Sequence, residues 1–120
     1  MFDQITGVQI PVSDVKRSYD FYKDTLGLRP LALVERHWAG FRVGEKDIWL
    51  VQAGDDYPMR PGGDNGVVFT VFDLDATAEA LGQRGLKPTD AGLRFPNGAR
   101  QLPYRDPDGN VFVVHQGPKP

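Results

Sequence analysis

Near the C-terminus, three acidic or amide side chains lie within the five residues Asp-Pro-Asp-Gly-Asn at 106–110. Two carboxylates this close can bind a cation or form an acid/base pair. A calcium loop of the EF-hand type closes on a glutamate at its twelfth position, but counting from Asp106 that position is Gly117. A tight turn at a sheet edge leaves both carboxylates in water, without the burial that an acid/base pair needs. The segment therefore predicts a solvent-exposed hairpin turn without a bound ion, in which Gly109 takes a positive φ.

The apolar run after this turn, residues 111–116, carries one histidine. Strand alternation places Val113 and His115 on one face and Val114 on the other. An imidazole suits general acid/base catalysis near neutral pH, whereas the structural alternative is a histidine held by a neighbouring backbone carbonyl. The candidate chemistry therefore depends on which strands position His115 and what lies beside it.

The overall composition narrows the possible partners. The chain has 120 residues and a net charge of −2, with no basic stripe to neutralise phosphates, so a nucleic-acid partner is not expected. The absence of cysteine excludes disulfides, thiolate nucleophiles and thiolate metal ligands. No signal-peptide pattern or membrane-length apolar run occurs, so we expect a cytoplasmic protein without a membrane partner.

The elements that must position these residues come from an internal repeat. Residues 7–15 read GVQIPVSDV and residues 66–74 read GVVFTVFDL, 59 positions later. Further along, GLRP at 27–30 matches GLKP at 85–88. Two ordered matches near half the chain length predict two copies of one supersecondary unit.

Each copy has the signals of a strand, a capped helix and three further strands. Asp14 and Asp73 stand at N-cap positions, apolar residues recur at helical spacing after each, and Gly27 and Gly85 follow as helix stops. The pattern predicts helices near 14–26 and 74–84. Strands are predicted at 7–12, 30–36, 38–43 and 48–52, and at 66–71, 86–91, 99–105 and 111–116.

The predicted fold is α+β, with two βαβββ modules in a single domain spanning 1–120. Module one covers about 5–53 and module two about 66–116. The segment between them, about 54–65, is rich in Gly, Pro and Asp and is predicted to be a linker.

Three stretches together resemble the vicinal oxygen chelate superfamily. They are GVQIPVSDVKRSYDFYKDTLGL at 7–28, GVVFTVFDLDATAEAL at 66–81 and YRDPDGNVFVV at 104–114. This superfamily includes glyoxalase I, ring-cleaving dioxygenases, fosfomycin resistance enzymes and bleomycin resistance proteins. The resemblance implies that each module curls into a half-barrel. It implies no single activity, because one fold carries several unrelated chemistries.

The resemblance also implies where the metal-using members bind a divalent ion. Their four inward ligands correspond here to Gly7, Gly66 and Val113 and, within one or two residues, to Trp49. Glycine and valine side chains carry no donor atom and an indole N–H only donates, so no metal and no cofactor are expected. A site displaced by two strand residues, about 6.6 Å, gains only two polar side chains. The residues at the displaced positions are Gln9, Val51, Val68 and His115.

The same positions are expected to line a small-molecule cavity instead. The two glycines enlarge it, Val113 makes one wall apolar, and Trp49 offers a stacking surface unless it only fills the core. Gln9 and His115 supply the polar groups. The predicted ligand-binding residues are Gly7, Gln9, Trp49, Val51, Gly66, Val68, Val113 and His115.

We expect a metal-free, homodimeric small-molecule binding protein of the glyoxalase/bleomycin-resistance type. It would sequester a partly planar ligand such as a drug or antibiotic. The homodimer follows from the resemblance, because two-module members commonly build each cavity from one module of each subunit; open half-barrels also leave apolar faces and strand edges that need a partner. One alternative is a metal-independent isomerase or cyclase that uses His115 as general acid/base, with Gln9 or Tyr104 orienting the substrate. The other is a metal-dependent glyoxalase- or dioxygenase-like enzyme with atypical ligands.

Overall fold

The structure, a computed structural model, describes residues 1–54, 57 and 59–118. The chain divides into two compact units, Met1–Gly62 and Gly63–Pro120, which we call module one and module two. Within the described residues, no helix is long and apolar enough to cross a membrane. Residues 55, 56 and 58 of the predicted linker lie outside the described residues.

Module one folds as βαβββ. Its elements are β1 (Gly7–Val12), α1 (Val15–Asp20) with a π-helical turn (Phe21–Thr25), β2 (Arg29–Val34), β3 (Trp38–Val43) and β4 (Lys46–Gln52). The sheet order is β1-β4-β3-β2, with β1 parallel to β4 and the other pairs antiparallel. The helical segment covers one face, where Tyr19 and Tyr22 lie 5.5 and 6.1 Å from Phe41 between ring centroids. We call the opposite face the open face of module one.

Module two repeats this arrangement. Its elements are β5 (Asp64–Thr70), α2 (Leu74–Gln83), β6 (Leu93–Arg94), β7 (Arg100–Arg105) and β8 (Val111–Gln116). The sheet order is β5-β8-β7-β6, with β5 parallel to β8. Leu74 and Leu81 of α2 are buried, as are Phe112 and Val114 of β8, so this face is the core and the opposite one is the open face of module two. The fold is therefore α+β with two βαβββ modules, as predicted.

Both helices begin at the predicted aspartates. Asp14 Oδ1 accepts a hydrogen bond from the Arg17 backbone N–H at 3.2 Å, and Asp73 Oδ1 accepts one from the Ala76 N–H at 3.0 Å. The side chains thus satisfy N–H groups that have no partner inside the helix.

A second acceptor at each helix start comes from the last strand of the module. Gln52 Oε1 accepts from the Val15 N–H at 3.2 Å, and Gln116 Oε1 accepts from the Leu74 N–H at 2.7 Å. Because each glutamine ends its strand, the pair of bonds ties helix to sheet in both modules. The sequence pattern did not predict this contact, since it joins residues far apart in the chain.

Replacing Gln116 with alanine is expected to lower the free energy of unfolding by about 1–2 kcal/mol, because the buried Leu74 N–H loses its acceptor. The loss is moderated because Gln116 Nε2 is buried without a hydrogen-bond partner among the described residues. Gln52→Ala is the matched control, with an expected loss of about 0.5 kcal/mol from a longer, part-buried bond. Urea unfolding measures both, and a larger loss for Gln52→Ala would contradict the burial argument.

The strand predicted at 86–91 is wrong. The strand that pairs with β7 is the two-residue β6, Leu93–Arg94. Asp90 Oδ1 accepts from the Gly92 N–H at 2.7 Å, and Gly92 has a φ of 73°. A Cβ at Gly92 would lie 2.0 Å from the Gln101 carbonyl oxygen. The Asp90 side chain therefore stabilises a turn at Asp90–Gly92, and pairing with β7 begins only at Leu93.

The helix predicted at 14–26 has the right span, but its final turn is π-helical rather than α-helical. A π-helical turn is closed by a hydrogen bond between residues five apart rather than four apart. The extra residue rotates the side chains that follow it around the helix axis. Tyr22 is fully buried there, and Gly27 ends the segment with a φ of 72°, as predicted.

The segment 106–110 forms the predicted hairpin turn between β7 and β8, and Gly109 has a φ of 80°. The expectation that this turn is solvent-exposed is wrong, because Asp106 is 5% and Asn110 is 1% exposed. The Asp106 carboxylate accepts from the backbone N–H groups of Asp108 (3.0 Å) and Asn110 (2.9 Å) and from Asn110 Nδ2 (2.9 Å). The buried carboxylate therefore stabilises the turn through these hydrogen bonds instead of facing solvent.

Candidate ligand-binding site

The open face of module one gathers the residues predicted for it. Ile48 and Leu50 of β4 are buried in the core, so alternation turns Trp49 to the open face. The parallel register pairs Gln9 of β1 with Trp49, and paired residues of neighbouring strands share a face. The predicted residues on this face are Gly7, Gln9, Trp49 and Val51.

Trp49 lies across the neighbouring strand β3. A Cβ at Gly40, its register partner, would lie 2.4 to 2.9 Å from three atoms of the Trp49 six-membered ring. The ring of Trp38 packs against the indole edge to face, with centroids 5.4 Å apart and planes at 70°. The indole is half-buried, so its position is set by packing while part of its surface stays accessible.

Replacing Gly40 with alanine is expected to displace the Trp49 ring and to lower the free energy of unfolding by about 1–3 kcal/mol, as overpacking does. Gly82→Ala in α2 is the control, because a Cβ there meets nothing within 4 Å. That change should instead stabilise the protein by about 0.5–1 kcal/mol. Thermal unfolding and indole fluorescence report the two effects, and a neutral Gly40→Ala variant with unchanged fluorescence would contradict the ring position.

Gln9 is held by a residue that the sequence pattern missed. Tyr57 Oη donates to Gln9 Oε1 at 3.2 Å, and Met59 Sδ lies 3.2 Å from the same Oη. Partial burial raises the pKa of Tyr57, which keeps its hydroxyl protonated and able to donate. Tyr57 stands in the segment predicted to be a linker, where one tyrosine among polar residues is too weak a signal to identify a contact.

Gly7 has a role different from the one predicted. It was expected to enlarge a cavity, but a Cβ at Gly7 would lie 2.1 Å from the Asp47 carbonyl oxygen. The glycine therefore permits β1 and β4 to approach closely at the start of their parallel pairing. Gly66 likewise meets a backbone requirement, because its φ is 74° at an irregularity in the β5–β8 register.

The open face of module two is mostly apolar. The register pairs Val68 of β5 with Val113 of β8, and Phe112 and Val114 point into the core. His115 lies two residues beyond Val113 on the same face. The predicted residues of this module, Gly66, Val68, Val113 and His115, thus belong to one strand pair.

His115 is half-buried on this face, and Gln101 and Phe95 lie near its ring. Its Nδ1 lies 3.4 Å from Gln101 Oε1, and its ring centroid lies 6.3 Å from that of Phe95. Tyr104, considered as a partner for His115 in the enzyme alternative, pairs with Phe112 and is fully buried on the core face. It cannot orient a substrate on the open face, and that part of the alternative is wrong.

A divalent metal does not fit the positions that the resemblance assigns to it. Gly7 and Trp49 in module one and Gly66 and Val113 in module two offer no ligand atom. At Gly7 a side chain would meet the Asp47 carbonyl, and at Gly66 it would require a left-handed backbone. In the part of the chain that the structure describes, no group of three or more His, Cys, Asp or Glu side chains is placed to hold a metal.

Comparison with known proteins identifies the family. A family model, Glyoxalase/Bleomycin resistance protein/Dioxygenase superfamily, matches residues 2–114. The Bacillus subtilis protein YraH is 31% identical over 125 residues, covering 91% of this chain and 94% of YraH. A solved superfamily member from Sphaerobacter thermophilus superimposes with a TM-score of 0.82 at 26% identity, covering 98% of this chain and 99% of that one. Lactoylglutathione lyase from Agrobacterium tumefaciens shares the fold, with a TM-score of 0.79 at 21% identity and coverage of 98% and 96%. The chain belongs to the Glyoxalase/Bleomycin resistance protein/Dioxygenase superfamily.

Proposed function

We propose that the protein binds a small planar molecule on the open face of module one and sequesters it without changing it. The observation that supports this most is the Trp49 indole, which is fixed across Gly40 and beside Trp38 on the face opposite α1. An aromatic surface that is already fixed loses little conformational freedom when a flat ligand stacks on it.

Gln9 and Tyr57 indicate which polar group the ligand carries. The Tyr57 hydroxyl donates to Gln9 Oε1, which fixes the orientation of the amide group. The described residues provide no acceptor for Gln9 Nε2, which therefore remains available to donate. A carbonyl, carboxylate or nitro oxygen on the ligand would accept this hydrogen bond while the ligand ring lies against Trp49.

The protein is further proposed to be a homodimer. Phe72 is 99% exposed and Val68 on the open face of module two is 55% exposed, so burying them against a second copy of the chain would remove apolar surface from water. Sedimentation equilibrium at micromolar concentration should give twice the mass of the chain. A monomer under those conditions would remove this part of the proposal.

Fluorescence titration tests the binding function. In a Trp38→Phe background Trp49 is the single tryptophan, so quenching by planar aromatic carbonyl compounds reports contact with its indole. Mass spectrometry of the ligand after prolonged incubation should recover it unchanged. Recovery of a converted product would favour the metal-independent enzyme that uses His115 as general acid/base, and would overturn sequestration.

Divalent metals are expected to leave the melting temperature unchanged, because the described residues form no cluster of His, Asp or Glu side chains that would bind them in the native state. The measurement is thermal unfolding of chelator-treated protein with saturating Zn²⁺, Mn²⁺, Ni²⁺ or Mg²⁺. A rise of several degrees with any one of them, reversed by chelator, would return the protein to the metal-using side of the superfamily.

A further inference from the structure

Module two contains a pocket that shares no residue with the Trp49 site. Its volume is about 420 Å³, within the range of small-molecule sites. Its walls are mainly apolar, and His115 is the single titratable residue among the described residues that line it. The lining residues are Phe95, Pro96, Asn97, Ala99, His115 and Pro118.

The turn that forms one wall is already complete without a ligand. The Phe95 N–H donates to the Ala99 carbonyl and the Gly98 N–H donates to the Phe95 carbonyl, both at 2.9 Å. The Ala99 N–H donates to Asn97 Oδ1 at 3.0 Å. These bonds fix the backbone that carries Phe95, so the aromatic wall beside His115 is formed in advance.

The contact with Gln101 favours one tautomer of His115. Gln101 Oε1 is an acceptor, so a hydrogen bond across the 3.4 Å contact requires the proton on His115 Nδ1. The neutral ring then has its lone pair on Nε2. The described residues donate no hydrogen bond to Nε2, which makes it an acceptor available to a molecule in the pocket.

We propose that this pocket binds a small neutral phenol, whose ring lies against Phe95 and whose hydroxyl donates to His115 Nε2. A phenol combines the two features that the pocket offers, an apolar aromatic wall and one unoccupied acceptor. A carboxylate is less suited, because none of the described residues that line the pocket is a lysine or arginine. None of the lining residues takes part in the site proposed around Trp49.

The test uses p-cresol and its methyl ether, which have the same ring but differ in the hydroxyl proton. In ¹H–¹⁵N correlation spectra, p-cresol should shift the resonances of Phe95, Asn97, Ala99 and His115. The methyl ether should bind about five- to tenfold more weakly, the factor expected for one neutral hydrogen bond. Equal affinity for the two compounds would overturn the proposal. Shifts confined to the Trp49 indole would also overturn it, while leaving the function proposed for module one intact.

Two variants and one control variant sharpen the test. His115→Phe keeps a ring in the strand but removes Nε2, so it should abolish the preference for p-cresol over the ether, whereas His37→Phe should leave that preference unchanged. Gln101→Leu removes the acceptor for Nδ1–H, and the ¹⁵N shifts of the His115 imidazole should then move from the Nδ1–H toward the Nε2–H tautomer. The preference should fall with them. A folded Gln101→Leu protein whose tautomer and preference are both unchanged would contradict the assigned geometry.

Discussion

Replacing Trp49 with alanine is expected to weaken binding of a stacked planar ligand by about 1–3 kcal/mol, a factor of about 5 to 150 in Kd. The reason is the position of the indole at the centre of the open face of module one, paired with Gln9 on one side and covering Gly40 on the other. Isothermal titration calorimetry with a compound selected by fluorescence quenching measures the loss.

Two controls separate stacking from general damage to the module. Trp49→Phe keeps a smaller aromatic surface and should recover part of the affinity. Phe2→Ala removes an aromatic side chain that is 92% exposed and lies outside the helices and strands, and it should leave the affinity unchanged. Full affinity in folded Trp49→Ala protein would mean that the indole only fills the sheet surface, and the proposed function would fail.

Replacing Asp106 with alanine is expected to lower the free energy of unfolding by about 3–4 kcal/mol, near the upper end for single substitutions. Three hydrogen bonds converge on this buried carboxylate, two from backbone N–H groups and one from the Asn110 side chain. Each bond to a charged acceptor contributes about 1.5–3 kcal/mol, and without the carboxylate buried donors lose their partner. Chemical denaturation at neutral pH measures the loss.

Asp90→Ala is the matched control for this prediction. Asp90 also accepts a backbone hydrogen bond two residues ahead, from Gly92 at 2.7 Å, but it does so in an exposed turn. Its replacement should cost at most about 1 kcal/mol, because water can take over the bond. Equal losses for the two variants would show that burial of Asp106 adds nothing to its role.

Gly7 and Gly66 stand at two of the superfamily's metal-ligand positions, and the backbone at both positions disfavours any side chain. A metal-binding side chain introduced at Gly7 must displace the Asp47 carbonyl, and one introduced at Gly66 must adopt a φ of 74°. Both demands act on the backbone. Restoring donor side chains would therefore require strand β1 to move and the β5 register to change.

Local signals in the sequence were sufficient for the architecture. Asp14 and Asp73 cap the helices, and Gly27 and Gly85 end them with φ values of 72° and 84°, as their spacing predicts. The repeat predicted two βαβββ modules because each copy contains the same helix-capping aspartate and helix-ending glycine. The resemblance to the superfamily, combined with strand alternation, also predicted that Gln9 and Trp49 share a face.

Only the tertiary structure decided the contacts between segments distant in the chain. It brings Tyr57 to Gln9, joins Gln116 to the start of α2, and lays Trp49 across Gly40. It also buries Asp106, whose residue type and turn position indicated exposure. Helix caps, turns and strand alternation depend on residues a few positions apart in the sequence. Burial and side-chain partners depend instead on which strands lie side by side and in which register. That register is determined by the packing of the whole module.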